Sequence, residues 1–520
     1  MYFLDNADIH GLSPDLYDIT FINAYMESFY RKLFKDSIVD YQALANIEIL
    51  LSAAVMKYSM HLRIGAINPK ALYGMYYQLP LKEPGGIDIL SPLKARDIKK
   101  YLITLQPDMP EYVELQKKLV HFETLEKKYP WKDLPCPEEN EEFKIEPGDT
   151  IRFLYDLSYK LKILGYLPVD IIVDTSYCIY DSVFSKGVTA YQEAHGLMAD
   201  SVIGRNTLEH LNISLAERRR TIELNLERLR WKNYNDDDYY IFVNIPDYKL
   251  YIYEFGKIKQ EMRVCVGKKR DDNYEERMKA YLKTKNHWMK PSNHETPCLH
   301  SHIAYFVLNP KWYVPRNIAE REIKFLAMRY DDYLEKRRIK VYYKDSLIHP
   351  DSIRWADYKS KKLPFRFRQA PGGGNAMGRI KFIFNNKMHI YLHDTPSKSS
   401  FKRAYRAVSH GCVRVEKPVE LAEYLSNFVP TWDADDINIA LGFKPKDKSN
   451  IWKYRQKMEK YEEVIKNDRK FKTKRIYLFK KVPLYIDYKT AWVDNDGKIQ
   501  FRNDVYARDL KLKEAFDRLQ

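Results

Sequence analysis

The spacing of apolar residues changes along this 520-residue chain, and the change sets what the chain can fold into. Before residue 130, apolar side chains recur every three to four positions, as in Phe21–Phe34 and Ile47–Leu62, which predicts helices packed through one face. Between Tyr239 and Tyr253 they alternate with polar residues, which predicts a pair of strands. A chain of this length exceeds one hydrophobic core. We therefore expect a multidomain α+β protein.

Composition narrows the class of protein further. Apolar residues make up 45% of the chain and charged residues 30%, which excludes a disordered chain or a collagen-like fibre. No apolar run approaches the ~18 residues that cross a bilayer, and acidic residues follow Met1 where a leader would be basic and then apolar. We therefore expect either a cytosolic chain or one whose leader or anchor lies outside this sequence.

The net charge is strongly basic. The chain has 87 Lys and Arg against 71 Asp and Glu, for a net charge of +16. Such a surface suits wall polymer, lipid headgroups or nucleic acid. The basic stretch Lys453–Lys481 has no nucleic-acid-binding motif and predicts a solvated helix followed by a strand. We therefore predict that nucleic acid is not a partner.

Residues 187–212 carry a distinctive pattern, GVTAYQEAHGL followed by DSVIG and TLEHLN. The pattern resembles the small three-helix peptidoglycan-binding module, with Tyr191-Gln192 in place of Phe-Gln and Ser201 in place of a turn glycine. A generic helical hairpin is the alternative. After it, Ser214 and Glu217 form a capping-box pattern that predicts a helix running to about Trp231.

The segment from residue 379 to 393 predicts two strands joined by a turn. Ile380, Phe382 and Phe384 alternate on one strand, and the Asn-Asn-Lys that follows predicts the turn. On the returning strand, the alternation directs three apolar residues to the core and leaves His389, Tyr391 and His393 on the other face. His393 is therefore placed at a strand end, where its side chain can reach a cleft.

A thiol follows 19 residues later, in the string VSHGCVRV. The five cysteines stand far apart, and no CxxC pair exists. Because their number is odd, at least one thiol is unpaired within the chain. Gly411 allows a tight turn before Cys412, and Pro418 predicts a helix start behind it. A thiol at a turn beside imidazole predicts a lowered pKa and a nucleophile. A buried structural cysteine is the alternative for a lone thiol.

The two strings together resemble the L,D-transpeptidase (YkuD-type) motif: Tyr391–Lys398, YLHDTPSK, followed by Ser409–Arg414, SHGCVR. Further stretches resemble the large periplasmic subgroup of that family: NPKWYVP at residue 309, RQAP at 368, NAMGR at 375, TAWVD at 490 and RNDVY at 502. The similarity spans nearly the whole chain, is specific in the catalytic core and is vague over residues 20–130.

The resemblance implies a domain organisation. Residues 1–149 would be a mostly helical scaffold, 150–213 a peptidoglycan-binding-like domain, and 214–237 a connecting helix. Residues 238–520 would form a β-sandwich-like L,D-transpeptidase catalytic domain, with a helical capping subdomain inserted at about 316–370.

The resemblance also assigns catalytic roles. Cys412 matches the acylated nucleophile and His393 its base, while the main-chain carbonyl of Asp394 matches the group that orients the imidazole. The N–H groups of Gly411 and Cys412 would stabilise an oxyanion. Substrate binding is expected of five further residues, of which Tyr391 lines the cleft and Arg414 holds a stem-peptide carboxylate; the five are Tyr391, Arg414, Ser409, His410 and Trp312. His410 could be a supporting partner of the site or a rival base.

The activity implied is acyl transfer on peptidoglycan. The thiol would attack the carbonyl of the third stem residue, expel the terminal D-alanine, and pass the acyl group to an amine of a second stem, giving a 3→3 cross-link. Carbapenem β-lactams would acylate the same thiol. A hydrolase that uses water in place of the amine and a non-catalytic wall-binding scaffold remain as alternatives.

The same resemblance implies a periplasmic protein that is anchored or membrane-proximal at full length, and we expect a monomer. No cofactor is expected. The cluster His294, Cys298, His300 and His302 invites a metal-site interpretation, but alternate strand positions project the same way by default, so we predict no metal. A papain-like protease is disfavoured because there the nucleophile precedes the histidine.

Overall fold

The computed structural model of the chain describes residues 1–36, 39–82, 90–138, 141–173, 178–233, 237–286, 289–358, 362–465 and 472–519. Residues 466–471 of the predicted basic helix lie outside this part. The described chain divides into two compact units. Unit 1 comprises residues 1–235 and 488–520, and unit 2 comprises residues 236–487.

The N-terminal part of unit 1 is helical, as the apolar spacing predicts. Asp40 caps one long helix by accepting the Ala43 N–H at 3.0 Å, and Ser214 begins another with the predicted capping box to Glu217. The helices outside the peptidoglycan-binding-like segment are Tyr2–Asp5, Ile19–Asp36, Tyr41–Ile64, Pro69–Tyr73, Ser91–Lys94, Ile98–Thr104, Pro110–Lys128 and Leu215–Trp231.

One helix of unit 1 differs from the expectation about membrane spans. In the described part of the chain, Tyr41–Ile64 is the one helix long and apolar enough to cross a membrane, judged by length and composition alone. Only 22% of its most apolar 18-residue window is buried. Core helices of globular proteins and signal sequences pass the same test, so the finding is weak evidence.

The predicted three-helix segment has its own core. Its helices are Leu154–Ile163, Ser182–Ala194 and Arg205–Asn212. Between the second and third helices, the Gln192 amide accepts the Ser201 N–H at 3.1 Å and donates to the Val202 carbonyl at 2.9 Å. Ser201 has a φ of +64°, the left-handed conformation for which related patterns use glycine. The core also includes Leu134 and Ile145, so the packed segment begins before residue 150.

The C-terminal segment departs from the predicted domain boundary. Residues 488–520 belong to unit 1 and not to the catalytic domain that we predicted to extend to residue 520. They form a hairpin, Ala491–Val493 with Ile499–Phe501, and a helix, Arg508–Asp517. The physical reason is apolar burial, because Ala491 and Phe501 share a core cluster with Leu226 and Leu229 of the long unit 1 helix.

Unit 2 is built on one sheet that closes on itself. The chain therefore has a β-domain in addition to a helical scaffold region, as predicted. The closure of the sheet refines the sandwich-like arrangement that we expected for this domain. In pairing order the strands are Cys298–Leu308, Ile380–Phe384, Leu392–His393, Val413–Val415, Lys257–Gly267, Lys249–Glu254, Tyr239–Asn244 and Lys474–Asp487. The last strand also pairs with the first, and Ala407–Ser409 pairs with Lys257–Gly267. Helices of unit 2 outside the cap are Tyr274–Thr284, Pro418–Ser426, Ala434–Leu441 and Ile451–Ile465.

The returning strand of the central hairpin is shorter than predicted. The Asn386 side-chain oxygen accepts the backbone N–H groups of both Met388 and Ile390, which holds those residues in a turn. His389 within this turn has a φ of +55°. Pairing therefore begins only at Leu392.

A cap is inserted in unit 2, close to where it was predicted. It has a four-stranded sheet, ordered Ser346–Ile348, Ile339–Tyr343, Arg366–Gln369 and Trp312–Tyr313. Its helical part comprises Arg316–Ile318, a π-helical turn at Ala319–Ile323, Lys324–Arg329 and Tyr333–Lys336. Its own apolar core includes Ile323, Val341 and Phe367. The cap thus begins at residue 312, a few residues before the predicted boundary.

Candidate active site

Three neighbouring strands align polar side chains on one face of the sheet. We label them β1 (Ile380–Phe384), β2 (Leu392–His393) and β3 (Val413–Val415). Lys381 pairs with His393, and His393 pairs in parallel with Arg414. Directly paired residues share a face, and Phe382 and Leu392 alternate with them into the core. We call the side that carries Lys381, His393 and Arg414 the polar face.

Cys412 joins the polar face from the turn before β3. It is two residues before Arg414, so the parallel register places it opposite Tyr391, and Val413 N–H donates to the Tyr391 carbonyl at 2.9 Å. The thiol is free and its side chain is half-buried. The thiol and the His393 imidazole therefore lie on adjoining strands of one face, a step apart along the strand direction.

The orientation of His393 is set by the residue that follows it. Its Nδ1 lies 2.5 Å from the Asp394 main-chain carbonyl. A carbonyl can only accept a hydrogen bond, so Nδ1 carries the proton and Nε2 presents a lone pair. Burial lowers the pKa of His393 to about 4, and the charges of Arg414 and Lys381 act in the same direction. The imidazole is therefore neutral at pH 7 and able to accept a proton at Nε2.

Asp394 is itself held rigidly. Its carboxylate accepts the backbone N–H groups of Arg379 at 2.8 Å and Thr395 at 2.7 Å, and the Lys398 ammonium lies 2.7 Å from it. The Asp394 N–H donates to the Ile380 carbonyl at 2.9 Å. These four contacts fix the main chain whose carbonyl orients the imidazole, so the side chain of Asp394 helps to hold His393 in position.

We expect Gly378→Ala to disorder this arrangement. Gly378 has a φ of +60°, and a Cβ there would lie 2.3 Å from the Asp394 Cγ. The left-handed backbone alone costs a non-glycine residue about 1–2 kcal/mol, and a displaced His393 would slow proton transfer by roughly 10²-fold. The rate at which iodoacetamide alkylates Cys412, followed by peptide mass spectrometry, measures the effect on the site. Urea unfolding of the same protein measures its stability.

The matched control is Gly374→Ala in the same loop, where an added Cβ meets no atom of the described structure within 4 Å and φ is not positive. It should leave both the alkylation rate and the urea midpoint unchanged. A folded Gly378→Ala protein with wild-type alkylation kinetics would show that Asp394 does not position His393.

The turn before the thiol corrects two predicted roles. The buried Ser409 hydroxyl accepts the Gly411 N–H at 3.1 Å and donates to the Cys412 carbonyl at 2.5 Å. Ser409 therefore shapes the turn, and its hydroxyl is not offered to substrate. The Gly411 N–H is also occupied, whereas the Cys412 N–H has no hydrogen bond to any described residue. Gly411, at φ +107°, is needed for the turn itself.

The ionisation of the thiol differs from the prediction. Burial raises the pKa of Cys412, although a backbone hydrogen bond from Tyr391 and the charges of Lys381 and Arg414 oppose the rise. The helix expected to lower the pKa begins at Pro418, six residues beyond the thiol. The site therefore holds a neutral thiol and a neutral imidazole on one face of the sheet at pH 7.

His410 contacts the cap. Its Nε2 lies 2.5 Å from a carboxylate oxygen of Glu322, and its ring stands edge-on to His294 at 4.6 Å between centroids. The hydrogen bond to His410 lowers the pKa of Glu322. His410 thus joins the turn of the nucleophile to the helical part of the cap, and no contact of the described structure places it as a second base on the thiol.

The other predicted residues lie in two places. Tyr391 and Arg414 are on the polar face, whereas Trp312 pairs with Gln369 in the cap sheet. Lys381 also lies on this face, with its ammonium 3.4 Å from the centre of the Tyr391 ring. Sequence reasoning missed Lys381. Its position between Ile380 and Phe382, which face the core, predicts that its side chain lies on the opposite, polar face.

The histidine-rich segment does not form a single cluster, although the rings of His300 and His302 lie 5.0 Å apart between centroids. His294 faces His410, and His300 stacks on Tyr485 at 4.3 Å between centroids. Cys298 is buried in its strand. Among the residues that the structure describes, no group of three or more His, Cys, Asp or Glu side chains is arranged to hold a metal ion.

Comparison with known proteins gives two family matches. Residues 238–475 match the YkuD family model, described as the L,D-transpeptidase catalytic domain, and residues 1–119 match one described as the Scaffold domain. A Haemophilus influenzae protein whose name makes it a candidate L,D-transpeptidase is 29% identical over 276 residues, 53% of this chain. The match spans 45% of that relative's own length, less than half.

Solved L,D-transpeptidase structures are also similar to this chain. One from Xylanimonas cellulosilytica is 15% identical, with 58% of this chain and 96% of that chain covered and a TM-score of 0.18. Another, from Stackebrandtia nassauensis, is 13% identical, with 55% and 86% covered and a TM-score of 0.20.

Proposed function

We propose that residues 238–475, which match the YkuD family model, form an L,D-transpeptidase catalytic domain with Cys412 as its nucleophile and His393 as its general base. The reaction proposed is transfer of a peptidoglycan stem-peptide acyl group, through a Cys412 thioester, to an amine, giving 3→3 cross-links. The observation that carries the proposal is the parallel register of β2 and β3, which brings the free thiol and the imidazole Nε2 onto one face. The compartment proposed is the periplasm, where that polymer lies.

Acylation would proceed from the neutral pair. His393 Nε2 takes the thiol proton as the sulfur attacks the carbonyl carbon of the third stem residue. The Cys412 N–H donates to the oxyanion that forms. The imidazolium then gives its proton to the departing amine nitrogen, so that the amide bond breaks, D-alanine leaves, and a thioester remains with His393 neutral again.

The second half-reaction reverses these roles. The side-chain amine of another stem attacks the thioester carbonyl, His393 accepts a proton from that nitrogen, and the collapsing intermediate expels the thiolate. The imidazolium returns its proton to Cys412, and a new amide bond joins the two stems. A buried neutral imidazole suits this cycle, because in each half-reaction His393 Nε2 accepts one proton and then gives it back.

The test is a product analysis on purified disaccharide-tetrapeptides at pH 7. Mass spectrometry is expected to find cross-linked dimers and one free D-alanine per cross-link. Tripeptide alone, carrying ¹⁸O from labelled water, would assign a hydrolase on the same thiol. Absence of D-alanine release from folded protein would contradict the enzymatic proposal and favour a wall-binding role based on residues 150–213.

A further inference from the structure

Two cations flank the imidazole from the strands on either side. Lys381 on β1 pairs with His393, and Arg414 on β3 pairs with it from the other side. The three side chains therefore form a row across the polar face, next to the thiol. The charges of both cations reach the thiol and the imidazole, since each lowers the pKa of Cys412 and of His393.

Neither cation has an anion within the described structure. The Lys381 ammonium contacts the face of the Tyr391 ring but neither donates a hydrogen bond to, nor forms an ion pair with, a described residue. The same holds for the Arg414 guanidinium. Other partly buried cations of unit 2 have hydrogen-bond or ion-pair partners: Arg270 is paired with Glu295 at 3.0 Å, and Arg379 donates to the Leu441 carbonyl at 3.0 Å. Cations withdrawn from water are ordinarily paired, so two cations beside the thiol with no anion among the described residues are suited to bind an anionic group of a ligand.

The surroundings of Lys381 favour the binding of an anion. Its side chain is half-buried, and burial lowers its pKa while the charge of Cys412 acts against that change. A bound carboxylate would relieve the desolvation of the ammonium and would offset two positive charges beside His393. An imidazole so relieved accepts a proton more readily, which is the step required of it.

We propose that Lys381, with Arg414, forms a carboxylate subsite that selects the donor peptide by a free carboxylate next to the scissile bond. This inference rests on the proposed function and deepens it. The donor offers such a group in two places: the terminal carboxylate of the leaving D-alanine, and a carboxylate on the third residue. Both have the chemistry that a lysine and an arginine recognise together.

The test compares three donor tetrapeptides: the free acid, the C-terminal carboxamide, and the peptide with its third-residue carboxylate amidated. Wild type is expected to prefer the free acid over one of the two amides by roughly 10- to 100-fold in kcat/KM, mainly through KM. The disfavoured amide identifies which carboxylate is bound. Lys381→Met should bring that preference close to unity, and Lys381→Arg should retain most of it.

The controls separate substrate recognition from activation of the thiol. Lys387→Met, at an exposed lysine beyond β1, should keep the wild-type preference. If Lys381 only stabilised the thiolate, Lys381→Met would slow all three donors and iodoacetamide alkylation of Cys412 equally. An unchanged acid-to-amide ratio in Lys381→Met would overturn the subsite, and so would the absence of any preference in wild type.

Binding to catalytically dead protein distinguishes this proposal from the proposed function. Calorimetry on Cys412→Ala should show tighter binding of the free acid than of the disfavoured amide, with the difference lost in Lys381→Met/Cys412→Ala. If wild type turned over no donor while this difference persisted, the proposed function would fail and the subsite would stand. If wild type turned over the donors but the difference in binding between free acid and amide did not depend on Lys381, the proposed function would stand and the subsite would fail.

Discussion

Replacing Cys412 with alanine is expected to abolish cross-linking and to remove the single covalent adduct that we expect a carbapenem to form with the wild-type protein. The sulfur makes the bond to the acyl carbon, and alanine has no atom that could do so. The rate of acyl transfer should fall by at least about 10⁴-fold, the scale seen when a nucleophile is deleted. Intact-mass spectrometry after incubation with the drug measures the adduct directly.

The adduct must also be located, because the chain has four other cysteines. Cys136 is exposed and provides the matched control: Cys136→Ala should keep one drug mass per chain. Alanine at position 412 should leave the fold intact, since the thiol is half-buried and makes no side-chain hydrogen bond to a described side chain. An adduct that persisted in folded Cys412→Ala would show that the nucleophile is elsewhere.

A second large effect is expected in unit 1, which should lose stability as the pH falls from 7 to 5. Burial lowers the pKa of His10 to about 3 and of His61 and His210 to about 4. Burial also holds the pKa of His195 well below its ordinary value. Below about pH 6.5 these four histidines gain protons in the unfolded chain but not in the folded unit, so their contribution to stability falls as the pH falls. The expected loss is on the order of 2 kcal/mol per histidine.

His195 shows the physical origin of this effect. The Arg218 guanidinium donates to His195 Nε2 at 2.7 Å, and the Tyr191 carbonyl lies 2.7 Å from Nδ1. Because guanidinium only donates and carbonyl only accepts, the ring must be neutral with its proton on Nδ1. A proton added to Nε2 would break the bond to Arg218 and bury two positive charges side by side.

Urea unfolding at pH 7 and pH 5 measures the effect, and hydrogen exchange with mass spectrometry assigns it to peptides of unit 1. His210→Gln should remove about one histidine's share of the pH dependence. His349→Gln, at an exposed histidine of the cap, should leave it unchanged. Stability of unit 1 that was equal at the two pH values would contradict the prediction.

Local sequence patterns determined much of the architecture. The three-to-four apolar spacing identified the helices Ile19–Asp36 and Tyr41–Ile64, and the Ser214 capping box identified the start of Leu215–Trp231. Alternation identified the strands Tyr239–Asn244 and Lys249–Glu254. These features depend on interactions within a few residues, so a short stretch of sequence contains all the information that they require.

Residue type and order also determined which side chains could carry the chemistry. A histidine at a strand end and a thiol after glycine marked His393 and Cys412 as candidates, and the family resemblance of the surrounding strings selected them and gave them their roles. The match of residues 238–475 to the YkuD family model supports the proposed activity class. The strings could not show how the two groups meet, because 19 residues of chain separate them.

Tertiary structure alone decided the contacts between distant segments. The parallel pairing of β2 with β3 aligned the thiol with Tyr391, and the pairing of β1 with β2 added Lys381 to the same face. Burial raised the pKa of the thiol against the local expectation. Such contacts join residues far apart in sequence, and their energies depend on register and desolvation, which no local pattern encodes.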